Sequence, residues 1–304
     1  MLRQANCIKS VATAAAFALQ ADAGESFLIR QIIFADALTT SYPVFRVDRK
    51  TVACYRGGAQ GVQHLGSQVD AYIPMNLMAW LMDKGVNMSI PVAEGQQFTI
   101  TRAAAAGALT VVYDMYDAGD IRADMINGSE AKEYNFIQYM TAAEALTSAI
   151  DYELKVSLSP GEFPDFPCGK VVPARHTIDV MGIAGMPVCV GDDTNATSTT
   201  FLKLVKDREI LFDEDRDGIP FQALSAVAVA TTRKIVHSLI GDCVSIGASL
   251  SNPSYGVPLM FDPPLHFVAG EELLVWLTCA IEVGDCSIPV ADVRVALIMN
   301  VKTE

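Results

Sequence analysis

The run FDEDRDGIPF holds the residues best placed to do chemistry. Asp213, Asp215 and Asp217 alternate along it, and Gly218 follows. Alternate carboxylates can converge on one hard cation such as calcium, and the glycine permits the bend that brings them round. The twelfth position is Leu224, where a complete EF-hand loop would place a bidentate glutamate. The same residues also describe a charged turn between strands that faces water. Asp213, Asp215 and Asp217 are therefore candidate calcium ligands, and no other cofactor is implied.

A second acidic run, YDMYDAGDIRAD, carries Asp114, Asp117, Asp120 and Asp124. Two carboxyl groups flanking a glycosidic bond can hydrolyse it, but that depends on a separation in space. A solvated loop between strands is the plainer reading. The four histidines, at 64, 176, 237 and 266, stand at no metal-ligand spacing from one another. His176 and His266 adjoin apolar strand residues and read as hydrogen-bonded structural groups. RGGAQGVQHLG at 56–66 lacks the GK[ST] of a phosphate loop and reads as a connection. There is no GxSxG elbow and no HExxH, so no catalytic residue is assigned and an enzyme is not expected.

The composition bounds what can position such residues. The 304 residues favour two units over one domain. Hydrophobic residues make up 51% and charged residues 19%, with a mean hydropathy of +0.29. That apolar surplus has no run of 18 residues to place in a bilayer, so contacts between subunits should take it up, and the 12 Met suit adaptable packing. The net charge of −13 repels nucleic acid, whose binding needs Lys and Arg to neutralise phosphates. Seven scattered Cys, odd in number and never CxxC, read as buried reduced thiols and point to assembly inside a cell.

Most of the chain reads as short strands bounded by Gly, Asp or Asn. NLMAWLMDKG at 76–85 is the exception, a short helix ending in glycine. ALSAVAVATTRKIVHSLIG at 223–241 fits a helix or a strand pair. The N-terminal MLRQANCIKSVATAAAFALQADA has the outline of a secretory leader, but Gln4, Asn6 and Cys7 interrupt it. Its alanine content predicts instead a helical segment over 1–24 that packs on a neighbour.

The second half echoes the first in order. HTIDVMGI (176–183) answers FLIRQIIF (27–34), and LKLVKDREILF (202–212) answers FRVDRKTVACY (45–55), with paired Asp-Arg at 48–49 and 207–208. FVAGEELLVW (267–276) answers VAEGQQFTI (92–100), IEVGD (281–285) answers YDAGD (116–120), and VRVALIMNV (293–301) answers YNFIQYM (134–140). Repetition in fixed order marks a duplicated unit. Sheets with one apolar face must cover it with another sheet. The expectation is all-β: two tandem antiparallel β-sandwiches of jelly-roll type over 25–150 and 151–304, with TSAIDYELKVSLSPGEFPDFPCGK as the crossover.

In that architecture the chain resembles the tandem (double) jelly-roll coat proteins of icosahedral viruses. The resemblance implies a structural capsid subunit of the virion, assembled in the host cytoplasm. It implies trimers whose two sandwiches per chain make six-cornered tiles, closing a shell by repeated symmetric contacts. Acidity favours an inner membrane or an adaptor protein as partner, besides other virion proteins, over direct contact with the genome. Two rivals stand beside this reading: a metal-free, cupin-like enzyme or ligand binder, and a spike, tail or filament subunit. Cupins hold metal with an HxH pair, a Glu and a later His, and no HxH occurs here.

Overall fold

The computed structural model describes residues 1–11, 16–34, 44–54, 77–101, 109–126, 129–130, 132–144, 151–157, 165–185, 197–212, 218–225, 233–237, 243–246, 249–253, 258–283 and 295–304. The chain is mostly β, in several antiparallel sheets, with few helices. It divides into two compact units. Unit 1 takes in Met1–Ile137 and Asn300–Glu304, and unit 2 takes in Gln138–Leu158 and Pro164–Met299. Among the described residues no helix is long and apolar enough to cross a membrane.

Unit 1 begins with β1 (Leu2–Val11), β2 (Ala16–Gln20) and β3 (Glu25–Phe34), then β4 (Val44–Val47) and β5 (Lys50–Cys54). Helix α1 (Leu77–Asp83) follows, and then β6 (Ile90–Val92), β7 (Gln97–Thr101), β8 (Leu109–Asp117), β9 (Met125–Ile126) and β10 (Ser129–Glu130). The helix expected over 1–24 is not formed: the described residues there are two strands. AFALQ alternates large and small, and β2 buries Phe17 and Leu19 while Ala16, Ala18 and Gln20 face water. A period of two outweighs the helix preference of alanine once β7 offers a ladder. The expected short helix is α1, closed by a Schellman motif. Val86 N–H donates to Leu81 O at 2.8 Å and Gly85 N–H to Met82 O at 3.0 Å, with Gly85 at φ +84°.

Two four-stranded sheets make the body of unit 1, in the orders β1-β8-β3-β6 and β2-β7-β4-β5. Each strand's alternation decides what is buried. Phe17, Phe45 and Phe98 are essentially inaccessible on the second sheet, with the Phe45 and Phe98 rings stacked at 6.4 Å. Phe27, Ile29, Ile32, Val92 and Val111 are buried on the first. Each such side chain contributes about 1.5–3 kcal/mol relative to exposure.

Strand β11 (Glu133–Ala142) runs into unit 2, followed by β12 (Asp151–Ser157), β13 (His176–Gly185), β14 (Thr197–Lys206), β15 (Glu209–Ile210) and β16 (Ile219–Ser225). Then come β17 (Arg233–His237), β18 (Cys243–Ile246), β19 (Ser249–Pro253), β20 (Leu259–Val268), β21 (Leu273–Val283) and β22 (Val295–Thr303). The order is β19-β18-β17-β16-β14-β21-β12-β11-β22-β13-β20. β12 bends from one neighbour to the other: Asp151–Glu153 pair with β21, and Leu154–Ser157 pair with β11. DYELKVS, expected in a crossover, is thus a sheet strand. The ambiguous 223–241 resolves where described as β16 paired to β17.

The two units repeat one pattern of pairing. β11-β22-β13-β20 takes the order of β1-β8-β3-β6, and β12-β21-β14 that of β2-β7-β4; β15 pairs with β14 in the hairpin that matches β4–β5, and β16 pairs with the remainder of β14. The turns repeat as well. Gln96 N–H donates to Ala93 O at 3.0 Å with Gly95 at φ +80°, and Glu271 N–H to Val268 O at 3.0 Å with Gly270 at φ +87°. Both are type II turns, which demand φ above zero at the glycine. Each is braced alike: Gly95 N–H reaches Ala21 O and Ala21 N–H reaches Gln96 O, while Gly270 N–H reaches Val172 O and Val172 N–H reaches Glu271 O. The braces lead into matching turns, Asp22–Glu25 with Gly24 at φ +87° and Pro173–His176 with Arg175 at φ +62°. The two Asp-Arg pairs are both two-residue hairpin turns, joining Val47 to Lys50 and Lys206 to Glu209.

Three of the five echoes therefore join equivalent elements: β3 with β13, β4–β5 with β14–β15, and β6–β7 with β20–β21. The other two do not. YDAGD ends β8, whose place in unit 2 belongs to β22, whereas IEV ends β21. YNFIQYM and VRVALIMNV lie in adjacent strands of one sheet, β11 and β22.

Candidate functional site

Asp213, Asp215 and Asp217 lie outside the described residues, as do His64 and the glycine-rich 56–66. The residues that flank the triplet are described. Gly218 has φ +98°, and a Cβ there would sit 2.8 Å from Leu202 O, so close packing on β14 demands glycine. From Ile219 onward the chain is β16, with Leu224 opposite Ser198. Leu224, the twelfth position of the span, is thus a strand residue. Among the described residues no three of His, Cys, Asp and Glu are grouped to hold a metal.

The second acidic run differs from the expected solvated loop. Asp114 and Asp117 belong to β8. Asp114 is buried, takes Arg30 Nε at 2.9 Å and accepts the Asn6 N–H at 2.9 Å. Asn6 has φ +54° and sits where the β1–β8 ladder skips between Gln4 and Cys7, so Asp114 clamps a β-bulge. Asp117 accepts from Arg3 Nε and, at 3.0 Å, from the Met1 amine, which also meets Asp120. The hydrogen bond from Arg3, then that from the amine, holds the Asp117 carboxyl below the usual aspartate range. A general acid needs the opposite shift. Asp124 pairs with Arg122 at 3.0 Å. Asp114, Asp117 and Asp120 thus anchor β1 and its first residue.

His266 Nδ1 meets Asp179 Oδ1 at 2.6 Å, and His176 Nδ1 lies 2.9 Å from Ala174 O. Beside them Glu271 accepts from Val268 N–H and from Lys206 Nζ, which together keep its carboxyl acidic. Cys7 and Cys168 are free and buried, and burial pushes both thiols up.

The surface that stands out is β1. Among the described residues it is the end strand of its sheet, the position that leaves one row of backbone groups without a ladder partner. Met1, Leu2 and Ile8 are exposed there, Ile8 by 67%. Arg3, Asn6 and Lys9 hold the strand in place; Lys9 Nζ donates to Ala18 O at 2.7 Å and lies 5.6 Å over the Phe17 ring. The sequence reading assigned these residues to a helix and so missed the edge. The signal that could have found it is the polar-apolar pattern around Ile8, flanked by the alternation of AFALQ. Set against known proteins, the chain matches no family model, no curated protein and no solved structure.

Proposed function

We propose that the chain is a structural, self-assembling subunit, a coat protein of an icosahedral virus, in which each unit is a jelly roll. The observation that carries the reading is the repeated strand order. The reading is supported by two four-stranded sheets ordered 1-8-3-6 and 2-7-4-5, the order expected of an eight-stranded double Greek key, and by a like order among β11–β16 and β20–β22. The matching braced turns support one duplicated design. The exposed apolar edge of β1 suits lateral contact with a sister chain. In this reading the work is assembly and not chemistry. Homotrimers tile a shell in the virion, with other virion proteins and an inner membrane or adaptor protein as partners. A net charge of −13 speaks against direct nucleic-acid binding.

Sedimentation and electron microscopy of the purified chain test this. Trimers or closed shells are expected, and Ile8→Asp should dissociate them while leaving the strand content intact. Fibres would transfer the chain to a filament, and a persistent monomer at high concentration would overturn the reading.

A further inference from the structure

Strand β20 departs from the pattern that the two units share. Among the described residues it is the end strand of its sheet, paired with β13. Val180 stands opposite Leu265 and Gly182 opposite Met260, so Phe261, Asp262, Pro263 and Pro264 are set against Met181 alone. The surplus residues make a bulge in the sheet edge, a device that re-aims side chains and gathers beside functional sites. β6, which holds the same place in unit 1, is Ile90–Val92 and pairs with β3 without a shift. The FDPP bulge is therefore an addition to the repeated design.

The bulge borders an open cleft of about 540 Å³, within the range of small-molecule sites. Ile219, Leu259, Met260 and Leu265 give it an aliphatic wall, and Phe212 and Phe261 an aromatic one. The two rings stack at 5.0 Å, yet Phe212 is 56% exposed. An aromatic pair left in water at a concave surface is available to a ligand. Close packing sets the aliphatic wall: a Cβ on Gly182 would come 2.5 Å from Leu259 O and 2.8 Å from Met260 Sδ.

The polar groups of the cleft are all of one kind. Asp262 is the only lining residue with a charged side chain; it is exposed, with no ion-pair partner among the described residues. Pro263 and Pro264 carry no N–H, so the backbone of the bulge has carbonyl acceptors in excess of donors. Acceptors, a carboxylate and the negative faces of aromatic rings all favour a cation, and no Lys, Arg or His lines the cleft.

We infer that this cleft binds a small aromatic ammonium ion, its ring against Phe212 and Phe261 and its charge beside Asp262. An anionic ligand would meet Asp262 with like charge, in a chain of net charge −13. The site lies wholly within unit 2, uses no residue of β1 and does not rest on the coat-protein reading.

Isothermal titration of the full chain with naphthylmethylammonium, naphthylmethanol and naphthoate tests the assignment. The ammonium ion should bind, the alcohol about fivefold more weakly, the upper end for an exposed ion pair, and the carboxylate more weakly again. Asp262→Asn should bring the ammonium to the affinity of the alcohol and leave the alcohol unchanged, which shows the cleft intact. Phe212→Ala, at an exposed ring, should weaken ammonium and alcohol alike by about fivefold through lost stacking. No binding of the ammonium, equal affinity for the three ligands, or ammonium binding unchanged in Asp262→Asn or in Phe212→Ala overturns the inference.

Discussion

β1 and β11 start the same repeated order of pairing, yet β1 ends its sheet whereas β11 lies between β12 and β22. β1 exposes eight of its ten residues and buries only Cys7, whereas β11 buries eight of ten. Their neighbours follow suit: β8 alternates between buried and half-buried positions, while β22 is almost continuously buried. The second neighbour of β11 and the side chains of the two strands both go with that contrast. EYNFIQYMTA offers Tyr134, Phe136, Ile137, Tyr139 and Met140; LRQANCIKSV sets Arg3, Gln4, Asn6 and Lys9 among the exposed Leu2 and Ile8. A strand apolar on both faces is suited to a covered sheet, and one rich in charged and polar residues to an edge.

The largest expected effect tests that contrast directly. Phe136→Ala or Met140→Ala should cost about 2–5 kcal/mol in chemical denaturation. Ile8→Ala in β1 should stay within about 0.5 kcal/mol in the unassembled chain. Equal costs would abolish the distinction between the two strands.

The matched turns allow a smaller and sharper test. Gly24 and Arg175 hold the same position, both with φ above zero. An L-residue other than glycine is strained there by about 1 kcal/mol. Gly24→Ala should therefore destabilise by about that amount, and Arg175→Gly should stabilise by about 0.5 kcal/mol, part of the gain being lost to unfolded-chain entropy. Differential scanning calorimetry reads both, and a shift of the same sign in the two variants would show that the turns are not equivalent.

The smallest effect separates the strands by pH. Asp117, which anchors β1, is more acidic folded than unfolded. Its contribution is complete above the ordinary aspartate value and is lost as pH falls through the lower folded value. Tyr134 in β11 is pushed up to about 12 by burial, so its contribution is complete below the ordinary tyrosine value and is lost as pH rises toward about 12. Hydrogen exchange should thus loosen β1 first on acidification and β11 first in alkali, and Asp117→Asn should remove the acid response of β1. Simultaneous loosening at both extremes would contradict it.

The sequence showed the repeated turns where local chemistry dictates geometry. A glycine at the third turn position or an Asp-Arg pair between two apolar arms leaves the backbone few options, and those echoes fell on turns at like places in the pairing order. IEVGD and YDAGD matched in letters alone, because a strand end followed by Gly-Asp recurs wherever a ladder stops. The N-terminal segment misled through composition: alanine favours a helix in isolation, and only pairing with β7 and β8 makes AFALQ and LRQANCIKSV strands. Nor could the letters foretell that the carboxylates of β8 are occupied by Arg3 and Arg30, which lie far off along the chain.

Strand β22 lies between β11 and β13, and these partners were made more than a hundred residues earlier. During translation both must wait with raw edges, since no other described strand takes the gap. Such separations slow folding and prolong exposure to aggregation. A ribosome stalled before Val295 would therefore hold a half-zipped sheet that invites foreign strands, and synthesis of β22 is the step that closes the gap.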